Sequence, residues 1–251
     1  MLTDEYRNDN KYMGLFSVPE YTTVKTPCRE LPINQIMQGD CISVMEGFPA
    51  ASVDLVVTDP PYLVNYKDRH GRAIRNDSDA GWIGPAFRQI YRVLKDNSFC
   101  VSFYGDIHID KFMGAWKEAG FRLVGHIVWP KRYASSSWYL SRHHEQAFLL
   151  AKGTPPRPDT PMQDIQEWQY TGNKLHPTQK AVAVMKPLIE SFSRKGEIVL
   201  DPFSGSGTTA MAAKQSGRSY IGIDLEEDYV AIARNRLAGH EVGYSRMFTN
   251  N

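Results

Sequence analysis

The stretch EIVLDPFSGSGTTAMAAKQSGRSYIGIDLEEDY, residues 197–229, constrains the fold more than any other part of the chain. An apolar run, a glycine-bearing turn, a helix opening near Thr208 and a second apolar run ending in Asp224 read as strand, turn, helix, strand. Strands joined through a helix run parallel, and parallel sheets are covered on both faces. Gly205 and Gly207 let the backbone bend and approach a ligand closely. The following helix start offers free N–H groups. Asp224 lies about 20 residues past the loop, a position that suits ribose hydroxyls. An aspartate there is also a good helix cap, and both roles can hold together. The loop lacks the third glycine of the dinucleotide pattern and the Lys-Ser/Thr of a P-loop, which argues against NAD and ATP. By itself Gly-x-Gly is equally a tight turn in any α/β protein.

A second apolar run, VDLVVTDPPY at 53–62, is the clearest strand signal in the chain and ends in Asp59, Pro60, Pro61 and Tyr62. Open α/β sheets bind ligands at the carboxyl ends of strands. Pro60 has a fixed φ, and Pro61 keeps Pro60 out of the helical region. The Pro60 carbonyl is therefore held beside the Asp59 carboxylate as a rigid double acceptor. Such a pair suits an aromatic amine, whose lone pair is delocalised into its ring. Accepting both N–H hydrogens localises that lone pair, and fixed dipoles do so without reorganising. Tyr62 adds a face on which a base can stack. A lone Asp-Pro is as readily a turn before a loop. A glycine loop in the same sheet tips the balance toward ligand binding.

The remaining chain continues the alternation. INQIMQGDC (33–41) reads as a short strand ending in a Gly-Asp turn, and CISVMEGF (41–48) as a short helix. IGPAFRQIYRVLKDN (83–97) predicts an amphipathic helix with Phe87, Ile90, Tyr91 and Leu94 on one stripe. SFCVSFYG (98–105) reads as a strand, and DKFMGAWKEAG (110–120) as a helix stopped by Gly120. FRLVGHIVWPK (121–131) and EQAFLLAKG (145–153) read as two further strands. HPTQKAVAVMKPLIESFSRKG (176–196) predicts a helix from about Thr178, with a threonine cap. Residues 1–30, with Pro19 and Pro27, read as an irregular arm, 153–173 as a small proline-rich insertion, and 241–251 as a tail without signal. One α/β domain over 31–240 accounts for the chain.

Composition excludes more than it selects. A net charge of +1 neither announces nor rules out nucleic acid, because local patches carry phosphate contacts. No apolar run is long enough to cross a bilayer, and the acidic N-terminus lacks a secretory pattern. A cytoplasmic protein without a membrane partner is expected. Cys28, Cys41 and Cys100 have neither metal-ligand nor redox spacing, so reduced thiols and no metal are expected.

Together, DPPY at 59–62, HPTQK at 176–180 and DPFSGSGTT at 201–209 resemble the amino-methylating DNA methyltransferases, over about residues 31–238. DPPY precedes the glycine loop, the order of the circularly permuted beta group. The resemblance implies an α/β fold: a doubly wound, mostly parallel, seven-stranded Rossmann-like sheet with one antiparallel strand. It implies S-adenosylmethionine as cofactor. The Gly39-Asp40 turn would contact its adenine and Asp224 its ribose, with Cys41 and Leu225 beside them. Asp201, Phe203, Ser204, Gly205, Ser206, Gly207 and Thr208 would pass the methionine part, which Asp59 also borders. His176, Thr178 and Lys180 would lie near the cofactor's carboxylate; for Lys180 an exposed helix lysine is the plain alternative.

The implied substrate is double-stranded DNA, with the target base flipped out of the stack. Lys67, Arg69, His70, Arg72 and Arg75 follow DPPY, while Lys131, Arg132, Arg142, His143 and His144 flank Tyr133, Trp138 and Tyr139. Basic residues interleaved with aromatics suit nucleic acid, although solvated loops look the same in sequence. DNA is expected across the cleft between the DPPY edge and 131–173. Only 153–173 is free for target recognition, which implies a short or relaxed site. Adenine N6 rests on Asp59, where cytosine-N4 members more often carry serine; cytosine stays open. Methyl transfer is expected to be direct, without a covalent intermediate. Family members are often dimers, so a homodimer is a further expectation. RNA or protein-glutamine methyltransferases usually carry Asn-Pro-Pro-Tyr in the unpermuted order. A non-catalytic DNA-binding relict would have no need of an intact DPPY and glycine loop.

Overall fold

The computed structural model describes residues 30–66, 74–135, 139–173 and 175–240. In chain order its elements are β1 (Gln35–Gln38), α1 (Cys41–Glu46), β2 (Val53–Thr58), α2 (Ile83–Val93), β3 (Leu94–Phe103), α3 (Ile109–Ala119) and β4 (Arg122–Pro130). There follow β5 (His144–Lys152), α4 (Val182–Phe192), β6 (Ile198–Asp201), α5 (Thr208–Gln215), β7 (Ser219–Asp224) and α6 (Glu227–Leu237). The strands form one seven-stranded sheet in the order β1-β7-β6-β2-β3-β5-β4. β5 runs antiparallel to both of its neighbours, and every other pairing is parallel. This is the α/β, doubly wound sheet that the family resemblance implies.

The unbroken apolar run of β2 follows from its central place between β6 and β3. Val53 and Val56 join the core under α1, α2 and α3, while Leu55 and Val57 join the core under α4, α5 and α6. Two helical layers thus sandwich the sheet. The amphipathic stripe of α2 is Ile83, Ala86, Phe87, Ile90 and Val93. It is one residue out of phase with the predicted stripe at its end, because Leu94 already opens β3 by pairing with Val53. Gly120 ends α3 in the left-handed conformation at φ 105°.

The topology also positions the site. β6 leads through α5 to β7 on one side, whereas β2 leads through α2 to β3 on the other. Since β6 and β2 are neighbours, the chain diverges between their carboxyl ends and opens a crevice there.

Two expectations change. The helix predicted from Thr178 begins at Val182, with Ala181 as its cap and no side-chain capping bond. Thr178 is used elsewhere: its N–H lies 3.3 Å and its hydroxyl 3.2 Å from Nδ1 of His176. The 153–173 segment is less free than expected. The Asp164 carbonyl accepts from Val128 N–H at 2.8 Å, and Gln166 N–H donates to the Val128 carbonyl at 2.9 Å. The segment therefore pairs with β4, the outermost strand, at the single bridge Val128–Ile165. The predicted arm (apart from Glu30) and tail lie outside the described residues. No described helix is long and apolar enough to cross a membrane.

Candidate active site

A cleft of about 1210 Å³, its open mouth included, lies at the β2/β6 divergence. Asp59, Pro60, Pro61 and Tyr62 form one wall, and the loop from Asp201 to Thr208 forms another. Tyr62 and Phe203, 141 positions apart in sequence, therefore face one space. Asp40 and Cys41 reach it from the end of β1, Asp224 and Leu225 from the end of β7, and His176, Thr178 and Lys180 from the segment before α4. Of the residues expected at the cofactor, only Gly207 stays off the wall. Its part is structural: φ is +78°, and a Cβ there would stand 2.8 Å from the Cβ of Ala233 on α6.

The Asp59 carboxylate is held from both sides. The Tyr62 hydroxyl donates to Oδ1 at 2.7 Å, and Lys180 Nζ donates to Oδ2 at 2.6 Å. Burial first, and then the Asp59 charge, push the Tyr62 phenol well above its ordinary value, so Tyr62 stays a donor. Burial pulls the Lys180 ammonium down, but Asp59 and Glu145 outweigh it, and the net shift is upward. Lys180 is thus a cation on Asp59. It is only 6% exposed, which disposes of an exposed helix lysine.

The opposite wall is organised by Asp224. Its carboxylate accepts from Gly205 N–H at 2.7 Å and from Glu226 N–H at 2.9 Å, tying the glycine loop to the start of α6. Its backbone carbonyl accepts from Gly39 N–H at 2.9 Å, which fixes the turn that carries Asp40. Asp40 caps α1 by accepting from Ser43 N–H at 3.0 Å. A carboxylate has room for about four hydrogen bonds, so both aspartates retain acceptor capacity toward the cleft. Burial raises the Asp224 carboxyl. It also pushes Asp201 up to about 7 and the Cys41 thiol up to about 12. Cys41 and Cys100 are buried free thiols. No cluster of metal-ligating side chains is found among the described residues.

The profile of the DNA methylase family, that of N6/N4 methyltransferases, matches residues 53–235. The chain belongs to the DNA methylase family. It is 51% identical over 206 residues to YubD of Escherichia coli (strain K12), spanning 82% of this chain and 91% of that protein. It is 32% identical over 247 residues to the type II methyltransferase M2.MboI of Moraxella bovis, spanning 82% and 88%. Among solved structures, the M1.HpyAVI–SAM complex superposes with a TM-score of 0.66 at 25% identity, covering 81% of this chain and 98% of that one.

The basic residues of this DNA methylase divide. Lys67, Arg69, His70, Arg72 and Trp138 lie outside the described residues. Arg132 and Tyr133 are exposed, as are His143 and His144. Tyr139, at 93%, is the most exposed of the large hydrophobic side chains among the described residues. Lys131 departs from its expected phosphate contact: its side chain is 1% exposed and bonds Glu145 Oε1 at 2.6 Å. Arg142 pairs with Asp106 at 3.0 Å, and Arg75 with Glu226 at 2.7 Å, so each arrives with a carboxylate partner. Trp168, from the 153–173 segment, donates to the Tyr133 hydroxyl at 3.0 Å.

Three features escape a sequence reading. Asp77 is buried and accepts from Leu63 N–H and Tyr66 N–H, each at 2.6 Å, which shapes the chain just after Tyr62. Gly105 seats Tyr62, since a Cβ at 105 would lie 2.8 Å from the Tyr62 carbonyl oxygen. Glu145 joins Lys131 to Lys180. A lone aspartate in a polar loop and a glycine ending a strand carry no local signal; only the fold brings them to DPPY.

Proposed function

We propose that this DNA methylase transfers the methyl group of S-adenosylmethionine to N6 of an adenine flipped out of duplex DNA. The observation that carries the reading is the shared cleft, with DPPY on one wall and the glycine loop with Asp224 on the other. The residues suit the cofactor chemically. Asp224 and Asp40 keep free acceptor capacity for hydroxyl and amine hydrogens, and the buried Ser204 hydroxyl has no partner among the described residues. When bound, S-adenosylmethionine supplies an electrophilic methyl group on a sulfonium centre.

Asp224 holds ribose hydroxyls, and the turn at Asp40 and Cys41 borders the cofactor's adenine. Residues 201–208 flank the methionine part, with His176 and Thr178 at its far end. Asp59 and the Pro60 carbonyl accept the two hydrogens of the target amine and aim its lone pair along the line of attack. Tyr62 stacks on the extruded base, offsetting the few kcal/mol that unstacking costs. The proton leaves the methylated nitrogen to solvent afterwards. No cysteine serves as nucleophile, in keeping with the two buried, protonated thiols.

DNA lies across the mouth of the cleft toward 131–173, where Arg132, Tyr133, His143 and His144 are exposed. The recognised sequence is short, because the 153–173 segment is brief and is pinned to β4 at Val128. The order of DPPY before the glycine loop supports a place in the permuted beta group. Asp59 favours adenine. Unmethylated duplex DNA incubated with the protein and S-adenosylmethionine, then digested to nucleosides, should yield N6-methyladenine by mass spectrometry. N4-methylcytosine would replace the target, and no methylated nucleoside would overturn the proposal.

A further inference from the structure

Four charges alternate beside the DPPY wall, two buried lysines and two half-buried carboxylates: Asp59, Lys180, Glu145 and Lys131. Lys180 Nζ stands 2.6 Å from Asp59 Oδ2 and 3.8 Å from Glu145 Oε2, and Lys131 Nζ stands 2.6 Å from Glu145 Oε1. Their side chains are 16%, 6%, 19% and 1% exposed in that order. The Lys180 ammonium also lies 5.0 Å from the centre of the Phe103 ring and 5.5 Å from that of Tyr62. The two positive and two negative charges balance, as buried charges must.

The arrangement has a consequence for Asp59. An ammonium resting on Asp59 alone draws charge from the carboxylate and weakens it as an acceptor. Glu145 competes for that ammonium from the other side, and Lys131 keeps Glu145 ionised. We propose that Glu145 is a positioning residue for methyl transfer: by sharing Lys180 with Asp59 it keeps the Asp59 carboxylate turned to, and strong toward, the target amine. This rests on the reading of Asp59 as the acceptor of that amine. Glu145 sits at the start of β5, away from the motifs, and does not line the cleft.

The groups facing Lys180 are Asp59 and Tyr62 from the end of β2, Glu145 from β5 and Tyr133 from the β4–β5 connection, with Lys131 behind Glu145. Removing the Glu145 charge takes away one of two carboxylates and leaves Lys131 uncompensated nearby. Lys180, whose ammonium at 2.6 Å fixes the orientation of the Asp59 carboxylate, then releases its proton at lower pH than in the wild type, and activity falls with it.

The test uses the full chain, unmethylated duplex DNA and radiolabelled S-adenosylmethionine, with single-turnover rates followed against pH and cofactor affinity measured by calorimetry. In E145Q the rate should fall roughly tenfold or more, the scale of a misaligned reacting group. Its cofactor affinity should stay within about twofold of wild type, and the alkaline limb of its profile should move to lower pH. The neutral double variant K131M/E145Q should give a rate between E145Q and wild type, and it carries the test if E145Q does not fold. The charge swap K131E/E145K keeps a bridge between the two positions but sets an ammonium against Lys180, so it should remain at or below the E145Q rate. A wild-type rate in E145Q, in the double variant or in the swap overturns the proposal. D59A separates the two readings: an active D59A removes the premise, whereas an inactive D59A beside a fully active E145Q removes only Glu145.

Discussion

Gly105 offers a test of how tightly the DPPY wall must be held. It sits at φ −84°, a value any residue adopts, so alanine there brings no backbone strain. The effect of G105A is therefore one of space. A Cβ at 105 would stand 2.8 Å from both the carbonyl oxygen and the Cβ of Tyr62. Ordinary carbon contacts begin near 3.4 Å, so one side must retreat by about 0.6 Å. Tyr62 is poorly free to do so. Its hydroxyl is bound to Asp59 and the next N–H to Asp77. Overpacking of this kind costs about 1–3 kcal/mol where the structure resists. Where it yields instead, a shift approaching 1 Å at the reacting groups costs on the order of 100-fold in rate, and a half-ångström shift correspondingly less. Gly105 is not on the cleft wall, so S-adenosylmethionine should bind G105A as it binds wild type. Initial methylation rates and urea unfolding of the same preparation separate the two costs. The expectation is a rate at least about tenfold lower, a lower urea midpoint, or both. A rate within about twofold of wild type together with an unchanged midpoint would refute the reasoning.

Other consequences can be checked alongside. D77A strips the acceptor from two backbone N–H groups and should lower the unfolding free energy by about 2–4 kcal/mol; no loss would mean that the loop is held by something else. Asp201, with a folded value of about 7 against 3.8 for a free side chain, binds its proton more tightly when folded. Its stabilising effect is complete below about pH 4 and lost as pH rises through about 7. The stability of D201N relative to wild type should therefore increase from pH 5 to pH 8, and a flat difference would contradict the burial of that carboxyl. With Cys28 replaced by serine, iodoacetamide at pH 8 should leave Cys41 and Cys100 unmodified until the protein is unfolded; rapid labelling of the native protein would be the contrary result.

What was legible in the sequence was whatever is encoded locally. Val53–Thr58 announces a central strand because both faces are apolar, and the two prolines mark where it ends. The glycine loop is read from its neighbours, a strand before and a helix after. The antiparallel strand is implied by the family resemblance alone, with the two late apolar runs supplying its hairpin. The misreadings lie where a side chain is claimed by a distant partner. Lys180 reads equally as a surface lysine because its partner, Asp59, is 121 positions away. Lys131 looked like a phosphate contact, since nothing in its own segment shows Glu145 folding onto it across the β4–β5 pairing. Thr178 is the exception, a local competition: His176, two residues away, takes the hydroxyl that would cap a helix. Gly105 and Asp77 gave no signal at all, since their importance lies in what the fold brings against them.

The central claim assigns the two walls of one cleft to different partners, the donor on the Asp224 side and the reacting amine on the Asp59 side. Calorimetric titration with S-adenosylmethionine, paired with methyl transfer to duplex DNA, tests it in two variants. D224A should lose most of its cofactor affinity, whereas D59A should bind the cofactor within about twofold of wild type and transfer no methyl group. A folded D59A that still methylates DNA, or a D224A that binds as tightly as wild type, would contradict it.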